Sequence, residues 1–314
     1  MKKWRASAIL AATVMLVGVA TACQPPPPVP VLTVTVPVAG NDTNPGDGIC
    51  EATLSGTQCT LQAAIQEANA LGRADIVMPG GREYAAINER ITGTVAIRVT
   101  PANGERMAWI RSLDLTIERG ATLALTDVSM RGDTNSYGTT NVKGSLVVER
   151  MYGGSWGSSV VHVFPTGRAI LQNTHLTGVH AGIVNEGWVE LRYSYVMGSE
   201  SAIVTASGGD TRIAAAAVLA DKYTPTATGC SGIRPTSLGY NAATDTTCQL
   251  DQTGDMESLP FVALASVGGD SPLYDAIPFG AVGCGTTTIT DISGLPRPNP
   301  YGASACNIGP MEAG

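Results

Sequence analysis

The chain is poor in aromatic residues, which make up 5% of its 314 positions and include three phenylalanines. Few large rings are available, so an aromatic-rich helical core is excluded. Charged residues are also sparse, at 14%. No run of five like charges occurs, so there is no polyelectrolyte tail. The three histidines, His162, His175 and His180, form no His-x-His or His-Glu-x-x-His string, and no Cys-x-x-Cys occurs. The sequence therefore offers no zinc site. No Walker or Rossmann glycine fingerprint is present, and no serine elbow is read. The acids form no Asp-Asp pair in the repeats described below.

What is abundant is glycine, 37 residues, together with Thr, Val and Ala. That mixture suits stacked strands and tight turns, with a Gly-rich α/β domain as the alternative. The length is enough for a sizeable core. The net charge is -7; without the basic N-terminus it is -10, from 16 bases and 26 acids. Such acidity does not favour nucleic acid or an anionic lipid surface as a partner.

Residues 1–5 carry Lys2, Lys3 and Arg5, and residues 6–22 are uncharged and apolar up to Ala20-Thr21-Ala22. This is the pattern of an export signal, too short for a full membrane span. Residues 19–23, Val-Ala-Thr-Ala-Cys, resemble a bacterial lipobox, which implies acylation of Cys23. Cleavage after Ala22 without lipid is the alternative. Residues 23–30 are Pro-rich and read as a stiff tether. Six cysteines remain: Cys50, Cys59, Cys230, Cys248, Cys284 and Cys306. An even number suits disulfides in an oxidising compartment. They fall as the neighbours 50/59, 230/248 and 284/306, although spacing alone leaves the connectivity open.

Residues 31–89 read as an opening strand, a turn-rich loop over 41–49 and one helix over 60–71. Thr60 can cap that helix and Gly72 ends it. Residues 90–226 change to short strands broken by Gly and Asn. Residues 167–178 (GRAILQNTHLTG) match 187–198 (GWVELRYSYVMG) at an offset of 20, and 209–220 (GDTRIAAAAVLA) continue at 22. Leu171, Leu191 and Ile213 then fall in one column, and Leu176, Val196 and Val218 in another. Leu123, Leu125, Met130 and Gly132 repeat the spacing, with a looser copy at Leu146, Met151 and Gly153. Val160-Val161, Ile183-Val184 and Ile203-Val204 form a further similar segment. Strand chemistry at a period of about 20–25 residues is the mark of a solenoid, because one unit cannot bury its apolar side chains alone. We therefore expect an all-β, right-handed parallel β-helix, with an antiparallel sandwich as the alternative. The helix should cap its N-terminal end. Residues 227–314 should form a disulfide-containing C-terminal cap or small module.

Residues 59–65, Cys-Thr-Leu-Gln-Ala-Ala-Ile, followed by Glu67-Ala68-Asn69, resemble the CSLREA motif of exported bacterial β-helix proteins. Four C-terminal strings are similar to the end of the choice-of-anchor group within that family. They are Leu238-Gly239-Tyr240-Asn241, then Gly268-Gly269-Asp270-Ser271-Pro272, then Asp291-Ile292-Ser293-Gly294-Leu295-Pro296-Arg297-Pro298, and Cys306-Asn307-Ile308-Gly309. The resemblance implies a parallel β-helix on the cell envelope and no single activity. Ala63 stands where the motif has Glu, so half of a capping box is missing, worth up to about 1 kcal/mol.

A β-helix that cleaves polysaccharide needs carboxylates on neighbouring rungs, with calcium or a basic residue nearby. The repeat supplies Glu149, Glu186, Glu190, Glu200 and Asp210, which are scattered. Glu190 is expected beside Arg212 of the next rung. His175 shares its column with Tyr195 and Ala217, an outward position. Residues 42–48 (DTNPGDG) could hold calcium, or form a plain turn. Trp109, Trp156, Trp188, Tyr193 and Tyr195 could stack on sugar rings if exposed together. The expectation is a secreted or lipid-anchored envelope protein that binds carbohydrate or another surface protein, or has a structural role. A polysaccharide lyase or glycoside hydrolase on the same scaffold is the alternative, and the missing site counts against it.

Overall fold

The structure is a computed structural model that describes residues 27–52, 57–86, 88–112, 114–131, 138–155, 159–265, 270–299 and 304–312. Cys23, Gly132, Trp156, Gly268 and Gly269 lie outside the described residues. The chain is a parallel β-helix. Its long sheet stacks, in order, Val31–Thr33, Arg73–Pro79, Thr94–Thr100, Thr122–Arg131, Ser145–Ser155, Arg168–Gly178, Trp188–Arg192, Asp210–Ala214 and Thr236–Ser237. A second sheet stacks seven strands from Glu89–Ile91 to Thr228–Gly232.

The repeat columns are the core ladders. Leu171 pairs with Leu191 and Leu191 with Ile213, while Leu176 pairs with Val196 and Val196 with Val218. All six side chains are fully buried. Because alternate residues point to opposite faces, each in-register rung extends one continuous apolar column. Val161 rather than Val160 pairs with Ile183, so that segment is shifted by one residue from its sequence match. The repeated glycines also find a reason. A Cβ on Gly178 would collide with the carbonyl oxygen of Ala181, and one on Gly198 with that of Ser201.

The long strands bend at one register position. There Asp127, Arg150, Asn173, Tyr193, Ala215 and Tyr240 all take positive φ. A left-handed backbone costs a non-glycine residue about 1–2 kcal/mol. The flanking ladders hold each of them there. The bend turns each rung's second half into a separate outer face.

The solenoid is longer than the 90–226 span expected from sequence. Val31–Thr33 and Arg73–Pro79 already belong to the long sheet, and Thr228–Gly232, Thr236–Ser237 and Ala242–Ala243 add strands after 226. These rungs carry little sequence periodicity because loops and the helix interrupt them. The helix Leu61–Leu71 is capped by Thr60, whose Oγ1 accepts the Ala63 amide at 3.0 Å, and ends at Gly72 in the left-handed region. Leu61 and Ile65 close the N-terminal end over Ile97, Ile110 and Leu115.

The six cysteines pair as Cys50–Cys59, Cys230–Cys248 and Cys284–Cys306. The C-terminal segment covers the last rung, where the Met256 amide reaches Asn241 and the Leu259 amide reaches Ala243. It then returns along the bent flank. Leu264, Leu273, Ile277 and Ile308 pack on Tyr193, Ala215, Ala217, Leu219 and Ala242. The Gly309 amide donates to Ala215 O at 2.9 Å, and Asn173 Nδ2 donates to Thr290 O at 2.9 Å. Farther back, Arg106 Nη1 donates to Gly294 O at 3.4 Å. The segment is thus a flank cover as well as an end cap.

One buried ion pair holds it. Arg297 and Glu312 are paired with side-chain exposures of 0% and 1%. Arg297 also donates to Gly309 O at 2.8 Å and to Asn173 Oδ1 at 3.3 Å, and its guanidinium lies 4.4 Å from the Tyr193 ring centre. Asp291 accepts the Ser293 and Leu295 amides through Oδ1 and the Glu312 amide through Oδ2. Burial, the largest influence, raises the Glu312 pKa, and the Arg297 charge opposes it.

Candidate functional site

After the bend, one outward column runs Trp109, Ser129, Tyr152, His175, Tyr195. Rings on adjacent rungs meet directly. His175 and Tyr195 stack at 4.4 Å between centres, and Tyr152 and His175 lie at 5.7 Å. Burial holds the His175 pKa below its ordinary value and pushes Tyr195 up to about 12. At the other end of the column, small Ser129 separates Trp109 from Tyr152. A groove of about 430 Å³ opens there.

The groove has two walls from distant parts of the chain. One is the 104–107 turn, which supplies Glu105, Arg106 and Met107; the other is Ile292 and Ser293 of the returning segment. The floor is Trp109, Ser129 and Tyr152. Burial raises the Tyr152 pKa, the Asp291 charge adds to the rise, and a Ser293 hydrogen bond opposes it. The phenol is therefore neutral at physiological pH and can donate or accept. An apolar aromatic floor with a few convergent polar groups, at a volume of a few hundred Å³, is the general form of a small-ligand site.

Glu105 is the one carboxylate among the lining residues. Glycoside cleavage uses two facing carboxyl groups. The acids singled out in the sequence are engaged elsewhere. Glu149 pairs with Arg150, Glu186 Oε1 lies 2.9 Å from His162 Nε2, and Glu200 Oε1 lies 2.8 Å from His180 Nδ1. Glu190 and Arg212 are register neighbours as expected, but they do not pair. Glu190 pairs with Arg192 and Arg212 with Asp210, each two residues along its own strand. Same-face neighbours on one strand meet without spanning rungs, which is why the cross-rung expectation fails.

The aromatic residues are dispersed. Trp188 lies on the other face of the long strands, with the Arg168 guanidinium 3.9 Å from its ring centre. Tyr193 is fully buried, and Tyr195 packs against the C-terminal segment. Among the described members of the set, Trp109 lines the groove. The 42–48 loop is organised around an anion: the Gly46 and Gly48 amides donate to Glu67, whose side chain is buried. Converging N–H groups suit a carboxylate rather than a cation. Among the described residues, no cluster of three or more His, Cys, Asp or Glu is placed to hold a metal ion.

Gly153-Gly154-Ser155-Trp156-Gly157 matches Gly-x-Ser-x-Gly in form and was passed over in the sequence reading. Ser155 ends a strand, is 4% exposed and pairs in register with Gly178. A side chain so buried does not present the exposed nucleophile that such an elbow requires.

The groove itself was also missed in the sequence. Extending the repeat back to Trp109 would have found the floor, since Trp109, Ser129, Tyr152 and His175 sit one rung apart. Nothing in the periodicity signals the wall from residues 292–293. Compared with protein-family models, with curated proteins and with solved structures, the chain finds no match.

Proposed function

We propose that this is an exported, lipid-anchored cell-envelope protein that binds carbohydrate in the flank groove. The observation that carries the reading is the Trp109–Ser129–Tyr152 floor with one carboxylate on its rim. Aromatic faces bury the apolar side of a sugar ring, while Ser293, Glu105 and Arg106 offer hydrogen bonds to its hydroxyls. The apolar N-terminus ending at Cys23, the resemblance to the CSLREA motif and three disulfides support export.

The test is binding of the purified chain from residue 24 to a panel of plant and bacterial polysaccharides, alongside Trp109→Ala. Retention that Trp109→Ala abolishes supports the reading. No retention on any glycan refutes it. Release of reducing ends above a boiled control would favour a glycan-cleaving enzyme, with Glu105 the acid to mutate. For the anchor, Cys23→Ser should move the protein from the membrane to the soluble fraction; unchanged attachment refutes lipidation.

A further inference from the structure

The groove wall is made by the same residues that dock the C-terminal segment. Ile292 and Ser293 line the groove, and Gly294 accepts from Arg106 across its rim. All three lie in a turn shaped by Asp291, whose Oδ1 accepts the Ser293 and Leu295 amides at 2.8 Å each. Asp291 Oδ2 accepts the Glu312 amide at 3.0 Å, and Glu312 in turn pairs with buried Arg297. Thr290, the preceding residue, is held by Asn173 and Arg150 of the bent corner.

We infer that the groove is a composite site, and that Asp291, Arg297 and Glu312 are positioning residues for its ligand. This rests on the proposed carbohydrate reading for the ligand's identity, but not for the coupling itself. The physical basis is linkage. A ligand that touches both the solenoid floor and the docked segment binds the docked state alone, so its binding energy adds to docking. Loosening the dock lowers apparent affinity by the fraction of molecules left competent.

Three variants separate the steps. Asp291→Asn keeps an oxygen for the Ser293 and Leu295 amides but turns an N–H toward the Glu312 amide. It should retain the turn and lose the link to Glu312. Asp291→Ala loses both. Arg212→Ala, remote from the groove on the other outer face, is the control.

Two readouts are needed. The first uses no ligand: amide hydrogen exchange at residues 292–295 and acrylamide quenching of tryptophan fluorescence, with a Trp109→Phe background to assign the signal. Asp291→Ala should speed exchange at these amides at least tenfold and increase Trp109 quenching, with an unchanged β-sheet circular dichroism signal. Unchanged exchange and quenching would overturn the positioning role. The second uses whichever polysaccharide the native chain retains. That glycan should slow exchange at residues 292–295, and Asp291→Ala should weaken its binding at least tenfold, with Asp291→Asn between it and the native chain. A glycan that binds both Asp291 variants as tightly as the native chain overturns the composite site while leaving the carbohydrate reading intact. A native chain that retains no glycan overturns that reading, and the first readout then decides the positioning role alone.

Discussion

Removing the Glu312 carboxylate tests how the C-terminal segment is held. Arg297 is fully buried, and Glu312 is its paired charge. In Glu312→Ala the guanidinium keeps its bonds to Gly309 O, Asn173 Oδ1, Asn307 O and Thr290 O, yet it loses its paired carboxylate and keeps only the weaker pull of Asp291. Breaking a buried pair from one side costs about 3–5 kcal/mol, because the remaining charge stays desolvated. An exposed pair behaves otherwise. Arg212 and Asp210 are 46% and 41% exposed, and Arg212→Ala should cost less than about 1 kcal/mol. Urea unfolding followed by circular dichroism measures both. Replacing both partners, Arg297→Met with Glu312→Leu, removes the uncompensated charge but also the donor to those four oxygens, so it should recover only part of the loss. A loss below about 1 kcal/mol in Glu312→Ala would refute the claim that this pair carries the docking. So would a double variant as unstable as the single one.

Other outcomes follow from the same structure. Leu191→Ala removes a fully buried link in the Leu171–Leu191–Ile213 column and should cost about 2–5 kcal/mol in urea unfolding. Gly178→Ala should destabilise or block folding, because its Cβ meets the Ala181 carbonyl; a soluble variant of native stability would contradict the turn geometry. His175 has a pKa depressed by burial, so the native state binds fewer protons than the unfolded chain on the acid side. Its contribution is present above the ordinary value of 6.5 and is lost as pH falls below it. His175→Phe should flatten that part of the stability–pH curve. Glu89 has the opposite sense. Burial raises its pKa, so it disfavours the folded state increasingly as pH rises above the ordinary carboxylate range, and Glu89→Gln should stabilise the protein at neutral pH.

The ladder core was legible because burial imposes one apolar residue per rung at fixed register. That constraint wrote Leu171, Leu191 and Ile213 into the sequence at nearly constant spacing. The helix was legible because Thr60 and Gly72 mark its ends chemically. The extra rungs at either end were hidden, since the residues between Thr33 and Arg73 interrupt the period. The flank was hidden for a different reason. Its contacts, such as Asn173 with Arg297 and Arg106 with Gly294, join residues far apart in the chain, and no local pattern encodes them. The strings that carry the family resemblance did mark Asp291 and Arg297, but not that they face Glu312 in one buried network. Of the groove, Trp109 was named from its chemistry alone, and its partners Ser129 and Tyr152 were not.

The return of residues 290–312 to the flank of earlier rungs changes the order in which the molecule can be finished. A simple solenoid depends only on neighbours, so its rungs can form one after another from whichever end appears first. Here residue 294 must find residue 106, a separation of 188 positions. Such distant closure is slow and comes late. A chain emerging N-terminus first would stack its rungs with Trp109 and Tyr152 uncovered on one side, and acquire the second wall only when residues 291–312 arrive. A copy lacking residues 291–312 would keep a stacked body and lose the wall, so an intact groove reports that this segment is present and docked.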